Sequence, residues 1–139
     1  MGLVGDSGEH SEQTIDVLVV DDEPNVAQVV GEFLERADEP LSVTIETDPE
    51  AGLDRLHEEE FDAVVSDYQM PGMDGLTFLD RASDAAPSAE QLLYTHVDEA
   101  RVREQARREG VGFLAKGTSP KRHGKLATRI RQRVETDDT

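Results

Sequence analysis

The sequence predicts an α/β fold, a (βα)5 doubly wound parallel five-stranded sheet, in one domain of 139 residues. Five short apolar runs alternate with segments whose apolar residues recur at helical spacing, the pattern of βαβ units. Four of the runs end on a polar side chain, at Asp21, Asp67, Thr95 and Lys116. Proline, glycine and Asp/Ser capping signals punctuate the connections.

Strand one spans about Asp16–Val20 and hands over to Asp21-Asp22. Pro24 suits the first turn of a helix that carries Val26, Val29, Val30, Phe33 and Leu34 at helical spacing. Strand two, Leu41-Ser42-Val43-Thr44-Ile45, alternates apolar and polar as an edge strand does. Asp48-Pro49 reads as an N-cap with proline in the first turn, opening a short helix through Leu53 and Leu56. Strand three, Ala63-Val64-Val65-Ser66, ends at Asp67 and opens the loop Tyr68-Gln69-Met70-Pro71-Gly72-Met73-Asp74-Gly75. A third helix follows from Gly75 through Leu76 and Leu79 to Ala82. Strand four, Gln91-Leu92-Leu93-Tyr94, reaches Thr95. Asp98 is expected to begin the fourth helix, which Gly110 closes in a left-handed conformation. Strand five, Gly112-Phe113-Leu114-Ala115, reaches Lys116. Ser119-Pro120 repeats the cap-and-proline signal before a last helix with Leu126, Ala127, Ile130 and Val134.

Residues 1–14 are Gly/Ser/Glu-rich and read as a flexible segment, residues 15–135 as the domain and 136–139 as a tail. No stretch approaches the roughly 20 apolar residues that span a bilayer, and the reading is a cytoplasmic protein. The absence of cysteine excludes disulfides and thiol chemistry. A net charge of −17 argues against nucleic-acid binding by this domain. Residues 1–99 hold 26 acidic against 3 basic side chains, and residues 100–139 hold 5 against 11. The acid excess resembles the solvated surfaces of proteins from high-salt cytoplasms, a halophilic habit.

An apolar strand that delivers a lone carboxylate into a Pro/Gly loop places it at the carboxyl edge of the sheet, where open α/β folds bind ligands. Asp21 and Asp22 arrive at the same edge from strand one. Three clustered carboxylates repel one another unless a cation offsets them, and a hard divalent ion such as Mg²⁺ prefers oxygen ligands. Thr95 adds a hydroxyl and Lys116 a positive charge. A carboxylate nucleophile, a cation site, a hydroxyl and an ammonium are parts that transfer and hold a phosphoryl group. Singly, each has a plainer reading: a cap, an Asx turn, strand propensity or a solvated lysine. Their joint occurrence at four strand ends favours the site.

In that order (Asp21-Asp22, Asp67, Thr95, Lys116) the chain resembles a receiver domain of two-component signalling, over about residues 15–134. The resemblance implies strand order 2-1-3-4-5, as in flavodoxin-like sheets, and phosphorylation of Asp67 by a histidine kinase or phosphotransfer protein. It implies a Mg²⁺ site made by Asp21 through water, Asp22, Asp67 and the backbone carbonyl of Gln69. It also gives Phe113, three before Lys116, the place of an aromatic coupled to Thr95. Two positions depart from the pattern: Gly117 stands where such domains have proline, and His96 where they have a small residue. Gln69 and Val97 flank the path of hydrolytic water in this family, and an apolar Val97 implies a long-lived phosphoryl state. His10, His57 and His123 fall in segments expected to be exposed.

Three alternatives stand beside this reading. A Mg²⁺-dependent phosphatase or phosphotransferase of the haloacid-dehalogenase kind would want an Asp at position 69. A flavin-binding flavodoxin would want a phosphate loop after strand one. A pseudo-receiver interaction module would lack part of the five-residue set. The sequence carries no helix-turn-helix, and its last helix resembles those of archaeal, including haloarchaeal, receivers that precede sensor and kinase domains. An output domain, fused or separate, is expected.

Overall fold

The computed structural model describes residues 14–37, 41–116 and 121–137. Five strands, β1 (Asp16–Val20), β2 (Ser42–Glu46), β3 (Ala63–Ser66), β4 (Glu90–Thr95) and β5 (Gly112–Ala115), form one sheet. Every pairing is parallel, and the spatial order is β2-β1-β3-β4-β5. The helices are α1 (Pro24–Glu35), α2 (Pro49–Glu58), α3 (Gly75–Ala85), α4 (Ala100–Arg108) and α5 (Lys121–Asp137).

Helices cover both faces because strand side chains alternate. Val17 and Val19 pack with Val30, Leu34, Leu126 and Ile130 under α1 and α5. Leu18 and Val20 face the other way, against Leu56, Phe78, Leu79, Val102 and Ala106 of α2, α3 and α4. Each of the Val, Leu, Ile and Phe side chains among them contributes about 1.5–3 kcal/mol on full burial. The register aligns Val20 with Ser66, so β1 and β3 end side by side. Strand order reverses between these two strands, which opens a crevice at their carboxyl ends.

Local signals set the element boundaries. Pro24 and Pro49 occupy first turns, and the Asp48 carboxylate accepts from the Ala51 N–H at 3.4 Å. Asp74 caps α3, accepting from the Thr77 N–H at 2.8 Å. Gly110 takes φ +74° after α4, as its position predicts, and Gly72 takes φ +80° in the loop after β3. Asp98, expected to begin α4, does not cap it. Glu99 holds that position, and Asp98 instead pairs with the Arg103 guanidinium. β2 is shifted one residue from the expected span, since Leu41 is buried ahead of the ladder and Ser42 pairs with Asp16. Gly117, Ser119-Pro120 and residues 1–13 lie outside the described residues, and so does His10. His57 is exposed as expected.

His123 departs from expectation. It is half-buried, wedged between Phe33 of α1 and Tyr94 of β4, with ring centroids at 5.2 and 5.8 Å. The Tyr94 hydroxyl lies 2.7 Å from its Nδ1. The sequence placed His123 on a helix but could not show that this helix packs over Tyr94.

Two predictions follow from this packing. Burial, and secondarily the Lys116 charge, lower the His123 pKa from its usual 6.5, so the folded state favours the neutral ring. The stability this provides is fully present above the unfolded value and is lost as pH falls through about 6.5 toward the lower folded value. Urea midpoints measured between pH 7.5 and pH 5 should therefore fall further for wild type than for His123→Asn, and parallel curves would contradict the burial. The second concerns Gly75, where an added Cβ would stand 2.0 Å from the Asp67 carbonyl oxygen. Gly75→Ala should cost on the order of 1–3 kcal/mol or more in denaturant unfolding, with backbone amide shifts of Asp67 and Tyr68. An unchanged midpoint would show that the loop gives way freely.

Candidate functional site

Asp67 follows β3 directly, and its backbone is tied on both sides. Its N–H donates to the Val20 carbonyl at 3.1 Å, and its own carbonyl accepts from the buried Ser66 hydroxyl at 2.7 Å. The Tyr68 N–H donates to Asp67 Oδ1 at 2.6 Å. The Gly75 N–H reaches back to the Tyr68 carbonyl at 2.7 Å, closing the Pro/Gly loop behind the carboxylate. The carboxylate therefore has little freedom to turn.

Asp21 follows β1 and is buried. Its Oδ1 accepts from the Glu23 N–H at 3.0 Å, and its Oδ2 accepts from Lys116 Nζ at 2.6 Å. Lys116, at the end of β5, also donates to Asp67 Oδ2 at 3.4 Å. Its side chain is only 4% exposed, against 5% for Asp21 and 12% for Asp67. An ammonium buried to this degree requires paired carboxylates, because an unpaired charge there carries a desolvation cost of several kcal/mol.

Asp21, Asp22 and Asp67 each place a carboxylate oxygen within 4.8 Å of the others. One lysine cannot balance three carboxylates. The oxygen-only donor set and the excess negative charge fit a hard divalent cation. Asp22, Glu23, Asp67, Gln69, Met70, Pro71, Thr95 and His96 line an open cleft of about 360 Å³. All five polar residues singled out in the sequence thus converge on one sheet edge. Gln69 is exposed and lines the cleft.

Thr95 is fully buried, and its Oγ1 accepts from the Val97 N–H at 3.2 Å, which leaves the hydroxyl proton available to donate elsewhere. His96 is exposed at the cleft's rim. Val97 packs half-buried against the apolar cluster under α3 and α4. Phe113 is half-buried beside β4, with the Arg103 guanidinium 4.9 Å above its ring. Glu23 at the cleft and the Tyr94 ring 5.6 Å from Lys116 Nζ were not singled out in the sequence. Each lies next to a residue that was, but adjacency gives no direction to a side chain.

Among the described residues, no helix is long and apolar enough to cross a membrane. The family model for the response regulator receiver domain matches residues 17–130. A protein-glutamate methylesterase/protein-glutamine glutaminase from Natronomonas pharaonis is 30% identical over 127 residues, 90% of this chain and 34% of that protein. Its counterpart from Shewanella sp. (strain MR-4) is 35% identical over 86 residues, 62% of this chain and 24% of that protein. The chain thus spans a quarter to a third of the length of these relatives. Among solved structures, a receiver domain protein (CheY-like) from Methanospirillum hungatei JF-1 superposes with TM-score 0.78 at 21% identity, covering 90% of this chain and 97% of its own. Fold, strand order and family model agree, and the chain belongs to the response regulator receiver domains of two-component signalling.

Proposed function

We propose that Asp67 is the phosphoryl acceptor of this receiver domain and that a histidine kinase or phosphotransfer protein supplies the group from a phosphohistidine. The observation that carries the reading is the held Asp67 carboxylate. Oδ1 is anchored by the Tyr68 N–H, Oδ2 lies 3.4 Å from Lys116 Nζ, and the residue opens onto the cleft. In the transfer, an Asp67 oxygen forms a bond to phosphorus as the phosphorus–nitrogen bond breaks. The electron pair of that bond leaves on the imidazole nitrogen, which takes up a proton.

Lys116 offsets the charge that gathers as two anions meet, and its burial makes that charge more effective than a solvated one. Thr95 offers a hydroxyl for a phosphoryl oxygen. Asp22, Asp67, the Gln69 backbone carbonyl and, through water, Asp21 would hold Mg²⁺. When bound, the ion offsets the negative charge of the carboxylates and the phosphoryl oxygens. Val97 is apolar and offers no group to hold or orient the hydrolytic water, which supports a long-lived phosphoryl state; the rival reading gives that task to the Gln69 side chain at the cleft.

The conformational signal is proposed to pass from Thr95 to Phe113 on the neighbouring strand and so to α4, through Arg103. The methylesterase and glutaminase activities named for the relatives belong to longer chains, of which the matched segment is a quarter to a third. We read residues 15–135 as a cytoplasmic signalling module that would regulate an output of this kind, fused or separate, and assign no ester hydrolysis to it.

Intact-mass measurement after incubation with acetyl phosphate tests the reading. Wild type should gain one phosphoryl group only with Mg²⁺ present. Asp67→Asn should gain none, and Asp22→Ala should need at least about tenfold more Mg²⁺ for the same rate, the loss expected for removing a direct ligand. An adduct undiminished in Asp67→Asn would overturn the assignment.

A further inference from the structure

The proposed reaction needs Lys116 to hold its ammonium beside Asp21 and Asp67, and the strand alone does not ensure that. A lysine side chain has four rotatable bonds and an ammonium with three donors. Two carboxylates meet that ammonium, Asp21 at 2.6 Å and Asp67 at 3.4 Å. The ammonium also lies over the face of Tyr94, with the ring centroid 5.6 Å from Nζ. A cation within about 6 Å of an aromatic face is attracted to it, more strongly when both are out of water. Backbone included, Tyr94 is 2% exposed and Lys116 8%.

What fixes the Tyr94 ring is its hydroxyl, 2.7 Å from His123 Nδ1. Burial pushes the phenol up to about 12, so it stays neutral and presents a ring face rather than a phenolate. His123 in turn makes an edge-on contact with Phe33 on α1. A continuous chain of contacts therefore runs from α1 through α5 and β4 to the ammonium. The sequence separation of 29 residues between Tyr94 and His123 shows that this is tertiary design rather than a local turn.

We propose that His123 is a positioning residue for Lys116, acting through Tyr94: it holds the phenol ring in place as a platform for the ammonium. The platform restrains Lys116 on the carboxylate side before the phosphoryl group arrives. This rests on the reading of Asp67 as acceptor, but its structural part can be measured without phosphorylation.

The test uses the full chain with ¹⁵N-labelled lysine and no metal, reading the Lys116 Nζ resonance and its exchange with water. The same proteins are then given acetyl phosphate and Mg²⁺. Tyr94→Phe keeps the ring and loses the hydroxyl, His123→Phe keeps an aromatic beside Phe33, and His123→Asn keeps a hydrogen-bonding group near the place of Nδ1. Both Phe variants should speed Nζ exchange and slow adduct formation by about three- to tenfold. The double variant should be no worse than either single, because both break one path. His123→Asn should restore both readouts. Unchanged Nζ exchange in both Phe variants, additive losses in the double, or failure of His123→Asn to restore would overturn the proposal. If His123→Phe fails to fold, the near-isosteric Tyr94→Phe decides alone. A wild type that forms no adduct, with Nζ exchange still altered in the variants, would reject Asp67 as acceptor while leaving the platform standing.

Discussion

The buried ion pair between Lys116 and the carboxylates of Asp21 and Asp67 ties together the ends of three strands, β5, β1 and β3. These residues lie 95 and 49 positions from Lys116 in sequence, so only the completed sheet brings them within reach. Removing either side would leave charge stranded in a site with little water, at a cost of roughly 3–5 kcal/mol. The same pair accounts for the site's readiness: one cation cannot balance Asp21, Asp22 and Asp67, and the residual negative charge favours a divalent ion at the cleft. Stability and reactivity here have one electrostatic origin.

The two faces of the sheet divide the remaining work. Under α1 and α5, the apolar cluster includes Tyr94, whose hydroxyl meets His123 and whose ring lies 5.6 Å from the ammonium. On the opposite face, Phe113 packs toward α4 and carries the Arg103 guanidinium above its ring. Thr95 sits at the shared edge, its hydroxyl oxygen already engaged by the Val97 N–H. A group that drew the Thr95 hydroxyl toward Asp67 would disturb that contact first. The loop behind Asp67 allows little compensation, because Gly75 leaves no room between helix and strand end.

Much of this was legible in the sequence. Strand ends at Asp21, Asp67, Thr95 and Lys116 could be read because parallel strands buried on both faces are nearly unbroken apolar runs, and a polar residue marks where each leaves the core. Pro49 and Gly110 marked helix boundaries through their own backbone chemistry. The limits were equally physical. Asp98 looked like a cap, but capping requires a particular backbone position, which Glu99 holds. His123 fell in a segment expected to be exposed, and no periodicity could reveal that its helix brings it against the Tyr94 hydroxyl. The steric role of Gly75 depends on the close approach of α3 to β3, which is invisible before the fold is known.

Borohydride trapping tests the central claim most directly, because it locates the phosphoryl group chemically. An acyl phosphate on aspartate is reduced to the alcohol, so the modified residue becomes homoserine and can be found by peptide sequencing in the mass spectrometer. After reaction with acetyl phosphate and Mg²⁺, homoserine should appear at position 67 and at no other aspartate. Homoserine at Asp21 or Asp22, or its absence from a protein that had gained a phosphoryl mass, would contradict the account.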